Sequence, residues 1–281
     1  MKILAIDTSN RPLSVAVLDD DHLLAQTTIT THRKHAEFLM PIIEDLVNKS
    51  DLKPSDLDRV VVAAGPGSYT GIRMAVTAAK TIAATLGIQL TMVSSLLTLC
   101  LNVSQPDVLV NPIFDGRNQN MFTGLYQIGD DGNPIELIED QHINLDQWLE
   151  LLEPYNQRVM IIGDTDAFEE GMRQALGDRL IVADKLADLP DAARLGLYGR
   201  QVDPVTNVDA VVPRYLRLTK AEADWKKLHP NEDTHNYVEK NLKIGLTKIF
   251  IIKMLNSAND ILTLKITMLK LTELSIFWPK Q

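Results

Sequence analysis

The feature that most constrains the fold is a change of hydrophobic period after the first thirty residues. Short runs rich in Leu, Ile, Val and Thr predict three strands, over 2–8, 13–18 and 23–30. Polar turns around Pro12 and Asp20 separate these runs, so the strands are expected to form an antiparallel meander. From residue 35 onward the apolar residues recur every three or four positions, which predicts a helix over 35–47.

The next segment predicts a buried strand and a long helix. The nearly continuous apolar run 59–64 is typical of a strand that is covered on both faces. A loop with three glycines, residues 65–73, leads into an alanine-rich helix over 74–86, and Gly87 ends this helix. A strand over 89–93 completes the order β-β-β-α-β-α-β.

The residues that follow predict a second unit of mixed strands and helices. Strands are predicted over 107–114, 121–128, 159–162 and 211–218, and helices over 145–152, 166–176 and 191–202. Two mixed α/β units, the first of which opens with a three-strand meander, predict a bilobed actin-like fold of the ribonuclease H-like (ASKHA) class. We place an N-terminal lobe at 1–103, a C-terminal lobe at 104–225 and an atypical, helical or disordered extension at 226–281.

The end of the chain differs in composition from the rest. Residues 241–281 contain 15 Leu or Ile and six Lys, but no Arg and no Val. Three interpretations of this segment are open. It is an amphipathic surface for a partner or a membrane, a plain helical tail, or an extension acquired by read-through or frameshift. We favour the third interpretation and assign the segment no chemistry.

Composition excludes several classes of protein. Lys and Arg total 28 against 37 Asp and Glu, and the net charge of −9 argues against a chain that binds nucleic acid by itself. The single cysteine, Cys100, excludes a disulfide framework and a thiolate metal cage. Asp7 interrupts the first apolar run, and no apolar run of about 20 residues follows. We therefore expect a cytoplasmic protein that does not enter a membrane.

The glycine loop, residues 65–73, is the strongest local motif. Its glycines permit a close approach of backbone, and exposed N–H groups at a helix start attract anions. The spacing differs from both common phosphate loops, because a Walker A motif needs Lys after its last glycine and a dinucleotide motif needs glycine at Thr70. An anion site and a purely structural turn are both open for this loop. Its candidate residues are Gly65, Pro66, Gly67, Ser68, Tyr69, Thr70, Gly71 and Arg73.

A second candidate site follows the first strand. Actin-like kinases place an aspartate there, followed closely by glycine, so that backbone amides surround a nucleotide phosphate. Here Asp7 is followed by Thr8, Ser9 and Asn10, which predicts a degraded nucleotide site. In this interpretation Asp7 accepts hydrogen bonds from its own turn and holds no metal.

The sequence contains no complete set of catalytic groups. His32 and His35 are one helical turn apart, but a catalytic zinc generally needs a third protein ligand, and none stands at a useful spacing. Cys100 lies in an apolar run where a thiol packs and does not react. The turn 115–117 either carries a function or simply closes a hairpin.

The two N-terminal helices carry more apolar surface than one sheet requires. Small side chains in the second helix would let another helix approach closely. This surplus predicts an interface with a partner, or with a second copy when the partner is absent, and packing against the sheet is the alternative. The candidate interface residues are Phe38, Leu39, Ile42, Ile43, Leu46, Ala75, Ala79 and Ala83.

Four segments match one known family in their order and separation. They are MKILAIDTS at the N-terminus, HAE at 35–37, GPGSYTGIR at 65–73 and PRYLR at 213–217. Together they resemble the bacterial TsaB family from residue 1 to about residue 225. The resemblance implies a non-catalytic subunit that is similar in fold to the catalytic subunit TsaD but lacks its pair of metal-binding histidines and its intact nucleotide site.

The same resemblance implies a set of partners. The chain would pair with a TsaD-type subunit through helices of its N-terminal lobe, and a TsaE-type ATPase would dock on that pair. The complex transfers a threonylcarbamoyl group to adenosine-37 of tRNAs that read ANN codons. The chain itself is expected to bind no cofactor, because ATP and a metal belong to the partner subunits, and to meet tRNA only through the complex.

Three hypotheses of different classes follow. The leading one is a pseudo-enzyme scaffold that pairs with a catalytic relative. The second is an actin-like, ATP-dependent small-molecule kinase. The third is a metallopeptidase that uses His32 and His35.

Overall fold

Two five-stranded mixed sheets form the framework of the protein. The computed structural model describes residues 1–30 and 35–217, without the side chain of His35; the extension at 226–281 and His32 lie outside these residues. Met1–Arg217 packs as one unit. No helix within the described part is long and apolar enough to span a bilayer.

The first sheet has the strand order β3-β2-β1-β4-β5. Its strands are β1 (Lys2–Asp7), β2 (Pro12–Asp19), β3 (His22–Thr30), β4 (Arg59–Ala63) and β5 (Gln89–Val93). The first three strands pair antiparallel, as the predicted meander requires, whereas β4 lies parallel between β1 and β5. The predicted order β-β-β-α-β-α-β is therefore confirmed.

Helices cover both faces of this sheet, which explains why β1, β2 and β4 are buried along almost their whole length. Helices α1 (His35–Lys49) and α2 (Tyr69–Leu86) pack on the face that carries Leu4 and Ile6. The opposite face, with Ile3, is covered by α6 (Ala192–Gln201). Helix α6 comes from the segment that sequence order assigned to the second lobe, yet it lies on the first sheet.

The second sheet repeats the first in its topology, with the order β8-β7-β6-β9-β10. Its strands are β6 (Val108–Arg117), β7 (Asn120–Ile128), β8 (Pro134–Asn144), β9 (Arg158–Gly163) and β10 (Leu180–Val182). The associated helices are α3 (Ser95–Cys100), α4 (Leu145–Leu152) and α5 (Glu169–Leu176). Two sheets of this kind, both mixed and both covered by helices, confirm the predicted bilobed actin-like fold.

Several predicted elements require correction. Strands β8 and β10 were not predicted, because β8 is largely polar and β10 has only three residues. The strand predicted over 211–218 is wrong for its described part: residues 211–217 are irregular and follow a short 3₁₀ turn at Val208–Ala210. Helix α2 begins at Tyr69, earlier than predicted, because Ser68 caps it.

The candidate interface residues on α1 and α2 fall into two groups. Six of them are buried in the core of the protein itself: Leu39, Ile43, Leu46, Ala75, Ala79 and Ala83. Their assignment to a partner-facing surface is wrong, since the surplus apolar surface packs on the first sheet. Phe38, which is 39% exposed, and the half-buried Ile42 are the two that remain accessible.

Ala79→Glu tests this packing. Ala79 has no exposed surface, so a carboxylate there would be buried without a partner and should lower the free energy of unfolding by about 3 kcal/mol or more. Thr77→Glu, on the exposed side of the same helix, should change it by less than about 0.5 kcal/mol. Urea denaturation measures both variants, and equal unfolding midpoints would mean that Ala79 faces solvent.

Candidate functional site

The turn after β1 is buried and closed by its own hydrogen bonds. Asp7, Thr8 and Ser9 are each at most 1% exposed. The Ser9 amide donates to Asp7 Oδ1 at 2.8 Å, and Thr8 Oγ1 donates to the carbonyl oxygen of Gly71 at 2.8 Å. Burial raises the pKa of Asp7 to about 6, and the hydrogen bonds from Ser9 oppose this shift only in part.

The glycine loop lies directly against this turn. The Ser68 amide donates to the carbonyl oxygen of Ser9 at 2.7 Å. A Cβ on Gly67 would overlap that same oxygen, and a Cβ on Gly71 would overlap the carbonyl oxygen of Thr8. Close contact between backbones therefore accounts for both glycines, and the geometry favours the structural turn over the anion site.

Two serines fix the ends of the glycine loop. Ser95 Oγ accepts a hydrogen bond from the Gly65 amide at 3.0 Å, and Ser68 Oγ accepts one from the Gly71 amide at the start of α2. Pro66 is buried between these ends. The side chains that the loop leaves exposed are those of Ser68, Tyr69, Thr70 and Arg73.

Hydrogen bonds join the turn after β1 to the second sheet. Asn10 Nδ2 donates to Asp164 Oδ2 at 3.0 Å, and the Asp115 amide donates to the same oxygen at 3.2 Å. Asp115 Oδ1 in turn accepts from the Arg117 amide at 2.8 Å. Residues 117–119 all have positive φ, so the turn 115–117 closes the hairpin between β6 and β7.

The backbone groups of the turn after β1 are engaged within the protein. The turn has no glycine, the Ser9 amide is already bonded to Asp7, and the carbonyl oxygens of Thr8 and Ser9 face the glycine loop. Some buried side-chain oxygens have no hydrogen-bond partner among the described residues, and they include Asp7 Oδ2, Ser9 Oγ and Thr165 Oγ1. An actin-like phosphate site would instead need free backbone amides here.

The described residues also lack a cluster suited to a metal. Within 1–30 and 35–217, no three His, Cys, Asp or Glu side chains are arranged to hold an ion. His32 and the side chain of His35 lie outside the described part. Cys100 is buried, and burial raises the pKa of its thiol well above the usual range, which leaves it unreactive.

Sequence reasoning missed a buried polar network centred on Asp140. Its carboxylate accepts from Tyr126 Oη and from Ser94 Oγ, both at 2.5 Å, and pairs with Arg214 Nη1 at 3.1 Å. The Arg214 amide also donates to the carbonyl oxygen of Ala64 at 2.8 Å. Asp140 lies on the unpredicted strand β8, and no local pattern indicated which side chains it would meet.

Asp7→Asn tests the energetic cost of the buried carboxylate. Because burial raises the pKa of Asp7 from 3.8 to about 6, the folded protein holds this proton more tightly than the unfolded chain does. Asp7 therefore lowers stability progressively as the pH rises from about 4 to about 6. Asparagine keeps the oxygen that accepts from Ser9 without the charge, so near neutral pH it should stabilise the protein by up to about 3 kcal/mol.

The measurement is thermal unfolding of both proteins across this pH range, with the exposed Asp107→Asn as control. The advantage of Asp7→Asn should shrink as the pH falls towards about 4 and disappear once the scan reaches about pH 3, where Asp7 is protonated in the folded and in the unfolded protein. A stability difference that stays constant with pH would show that the carboxylate is not desolvated.

Comparison with known proteins identifies relatives over most of the chain. The protein-family model described as TsaD, tRNA N6-adenosine threonylcarbamoyltransferase, matches residues 22–225. The chain is 39% identical to the tRNA threonylcarbamoyladenosine biosynthesis protein TsaB of Bacillus subtilis over 226 residues, which cover 80% of this chain and 98% of that protein. It is 30% identical over 136 residues to the protein of the same name from Escherichia coli, covering 47% of this chain and 58% of that one.

Solved structures agree on the fold. A Pseudomonas aeruginosa protein described as similar to the peptidase YeaZ superposes with a TM-score of 0.66 at 24% identity, over 77% of this chain and 99% of that chain. At this identity the similarity concerns the fold alone. Since the Bacillus subtilis relative is matched over nearly its whole length, and the family model over most of this chain, the chain belongs to the TsaB family.

Proposed function

We propose that the chain is a subunit of the machinery that makes threonylcarbamoyladenosine in tRNA. The observation that carries this proposal is the match to the Bacillus subtilis biosynthesis protein over 98% of its length. The match also covers 80% of this chain, so the relative supplies a function for most of it. We place this activity in the cytoplasm.

Within that machinery we assign the chain a non-catalytic role. The turn after β1 is occupied by its own hydrogen bonds and by the glycine loop, and this supports a scaffold in which a nucleotide pocket has been filled with protein. A catalytic TsaD-type subunit would then perform the transfer to adenosine-37 of tRNAs that read ANN codons. ATP and the metal would be bound by partner subunits.

The outward face of α1 and α2 is the surface we assign to the catalytic subunit. The inward sides of these helices are buried in the core, which leaves Phe38, Pro41 and Ile42 as one apolar stripe on α1. Helix α1 contacts α2, whose exposed residues include Thr77. A modest apolar surface of this kind fits a partner that is similar in fold, or a second copy of the chain when the partner is absent.

The remaining partners follow from the pairing. We propose that a TsaE-type ATPase docks on the pair and that tRNA is bound by the assembled complex. The family model ends at residue 225, so residues 241–281 lie beyond the matched region and we assign them no role in the reaction.

A binding measurement on the isolated protein tests the non-catalytic role. Calorimetry with ATP and magnesium should detect no heat of binding, because the Ser9 amide is bonded to Asp7 and the Ser68 amide of the glycine loop is bonded to Ser9. The chain alone should also release no phosphate from ATP. Tight ATP binding, or turnover that disappears in Asp7→Asn, would instead identify the chain as a kinase or ATPase.

Phe38→Asp tests the pairing surface. Phe38 is 39% exposed and a charge there should abolish co-purification with the catalytic subunit, while the unfolding midpoint changes little. Leu186→Asp is the matched control, because Leu186 is an apolar side chain that is 78% exposed and distant in sequence from both helices. If the two variants pair equally well, the outward face of α1 is not the interface.

A further inference from the structure

Five exposed arginines are brought together by the contacts around the glycine loop and the turn after β1. They are Arg11, Arg73, Arg117, Arg214 and Arg217, which we call the arginine rim. They come from four separate parts of the chain. This concentration of positive charge stands out in a protein whose net charge is −9.

Hydrogen bonds connect the segments that carry three of these arginines, across the two sheets. Arg11 follows Asn10, whose side chain is bonded to Asp164 at 3.0 Å. The same Asp164 oxygen accepts from the Asp115 amide, two residues before Arg117. Arg217 Nη1 donates to the carbonyl oxygen of Gly116 at 2.9 Å, which places it at the same hairpin.

A pair of stacked tyrosines joins the other two arginines to this surface. The rings of Tyr69 and Tyr215 are stacked with centroids 5.0 Å apart, and they are 44% and 41% exposed. The guanidinium of Arg73 lies 5.3 Å from the centroid of the Tyr69 ring and donates to Tyr69 Oη at 2.9 Å. Arg214 directly precedes Tyr215 in the chain, and its guanidinium bonds to Asp140.

Four of the five arginines form no ion pair among the described residues, and Arg214 pairs with Asp140 at 3.1 Å. The carboxylates of Asp115 and Asp164 accept hydrogen bonds from neutral donors, which do not cancel a carboxylate's charge, so these side chains offset part of the positive charge. Five guanidinium groups against these three carboxylates leave the rim with an excess of positive charge, and its arginines are exposed.

We propose that the arginine rim is where this chain itself contacts the phosphodiester backbone of tRNA inside the complex, with the Tyr69–Tyr215 pair stacking on an exposed base. The inference rests on the proposed function, which brings tRNA to the complex. Several guanidinium groups beside an exposed aromatic face match single-stranded RNA, because phosphates need cations and unpaired bases need flat surfaces. An acidic protein would use the charges but would gain little from the stacked rings.

The rim also explains how an acidic chain can contribute to RNA binding. Four or five cations on one surface are too few to hold tRNA alone against a net charge of −9, but they add to the sites of the catalytic subunit. The expected behaviour is therefore weak binding by the isolated chain and a measurable contribution within the complex.

The experiment measures tRNA binding by the reconstituted complex over a range of salt concentrations. Arg11→Ala and Arg73→Ala should each weaken binding and reduce the slope of log K against log salt by about one. Tyr215→Ala should weaken binding by about tenfold with an unchanged slope, and Tyr215→Phe should restore it. Arg173→Ala is the control, since Arg173 is an exposed arginine on α5 paired with Glu169.

The possible outcomes separate this inference from the proposed function. If the wild-type complex modifies tRNA but the rim variants bind it as tightly as Arg173→Ala does, the inference is overturned and the function stands. If the variants instead weaken assembly of the subunits with tRNA binding per complex unchanged, the rim is a protein interface and the inference is equally overturned. Failure of the wild-type chain to pair or to support modification would remove the proposed function itself.

Discussion

Direct contact between two stretches of backbone, the turn after β1 and the glycine loop, organises the first sheet and the candidate site together. The contact requires residues without a Cβ at Gly67 and Gly71, and it orients the start of α2 through Ser68. The same contact bonds the Ser9 carbonyl oxygen to the Ser68 amide and brings the Thr8 carbonyl oxygen against Gly71. The turn and the start of α2 are therefore held in place by one set of backbone contacts.

The segment after α6 links features that are distant in sequence. Arg214 bonds to Ala64 through its backbone and to Asp140 through its side chain, which ties the end of β4 to the second sheet. The Asp140 carboxylate is fully buried, so removing Arg214 would leave a buried charge without its ion-pair partner. The PRYLR motif at 213–217 therefore connects the two sheets. Its backbone is irregular, and Arg214 bonds to residues of both sheets.

The sequence allowed the order of elements in the first hundred residues to be predicted, because its apolar periods are strong and its turns are marked by Pro, Asp and Gly. The sequence did not predict β8, because the polar residues of this edge strand give no clear period. It wrongly predicted a strand at 211–217, where the residues make long-range contacts without forming a ladder. It also misjudged Ala79 and Ile43, since an apolar stripe does not state whether a sheet or a partner covers it. The Asp140 network and the arginine rim arise only from tertiary contacts.

Helix α6 has a consequence for how the molecule can be divided. Although it follows the second sheet along the chain, it covers Ile3, Ala5 and Val61 of the first. Without α6, the N-terminal hundred residues would expose this apolar face of their sheet to water. The first sheet therefore depends on a helix that the chain forms only after it has completed the second sheet. A fragment that ends after the first hundred residues would lack part of its own core.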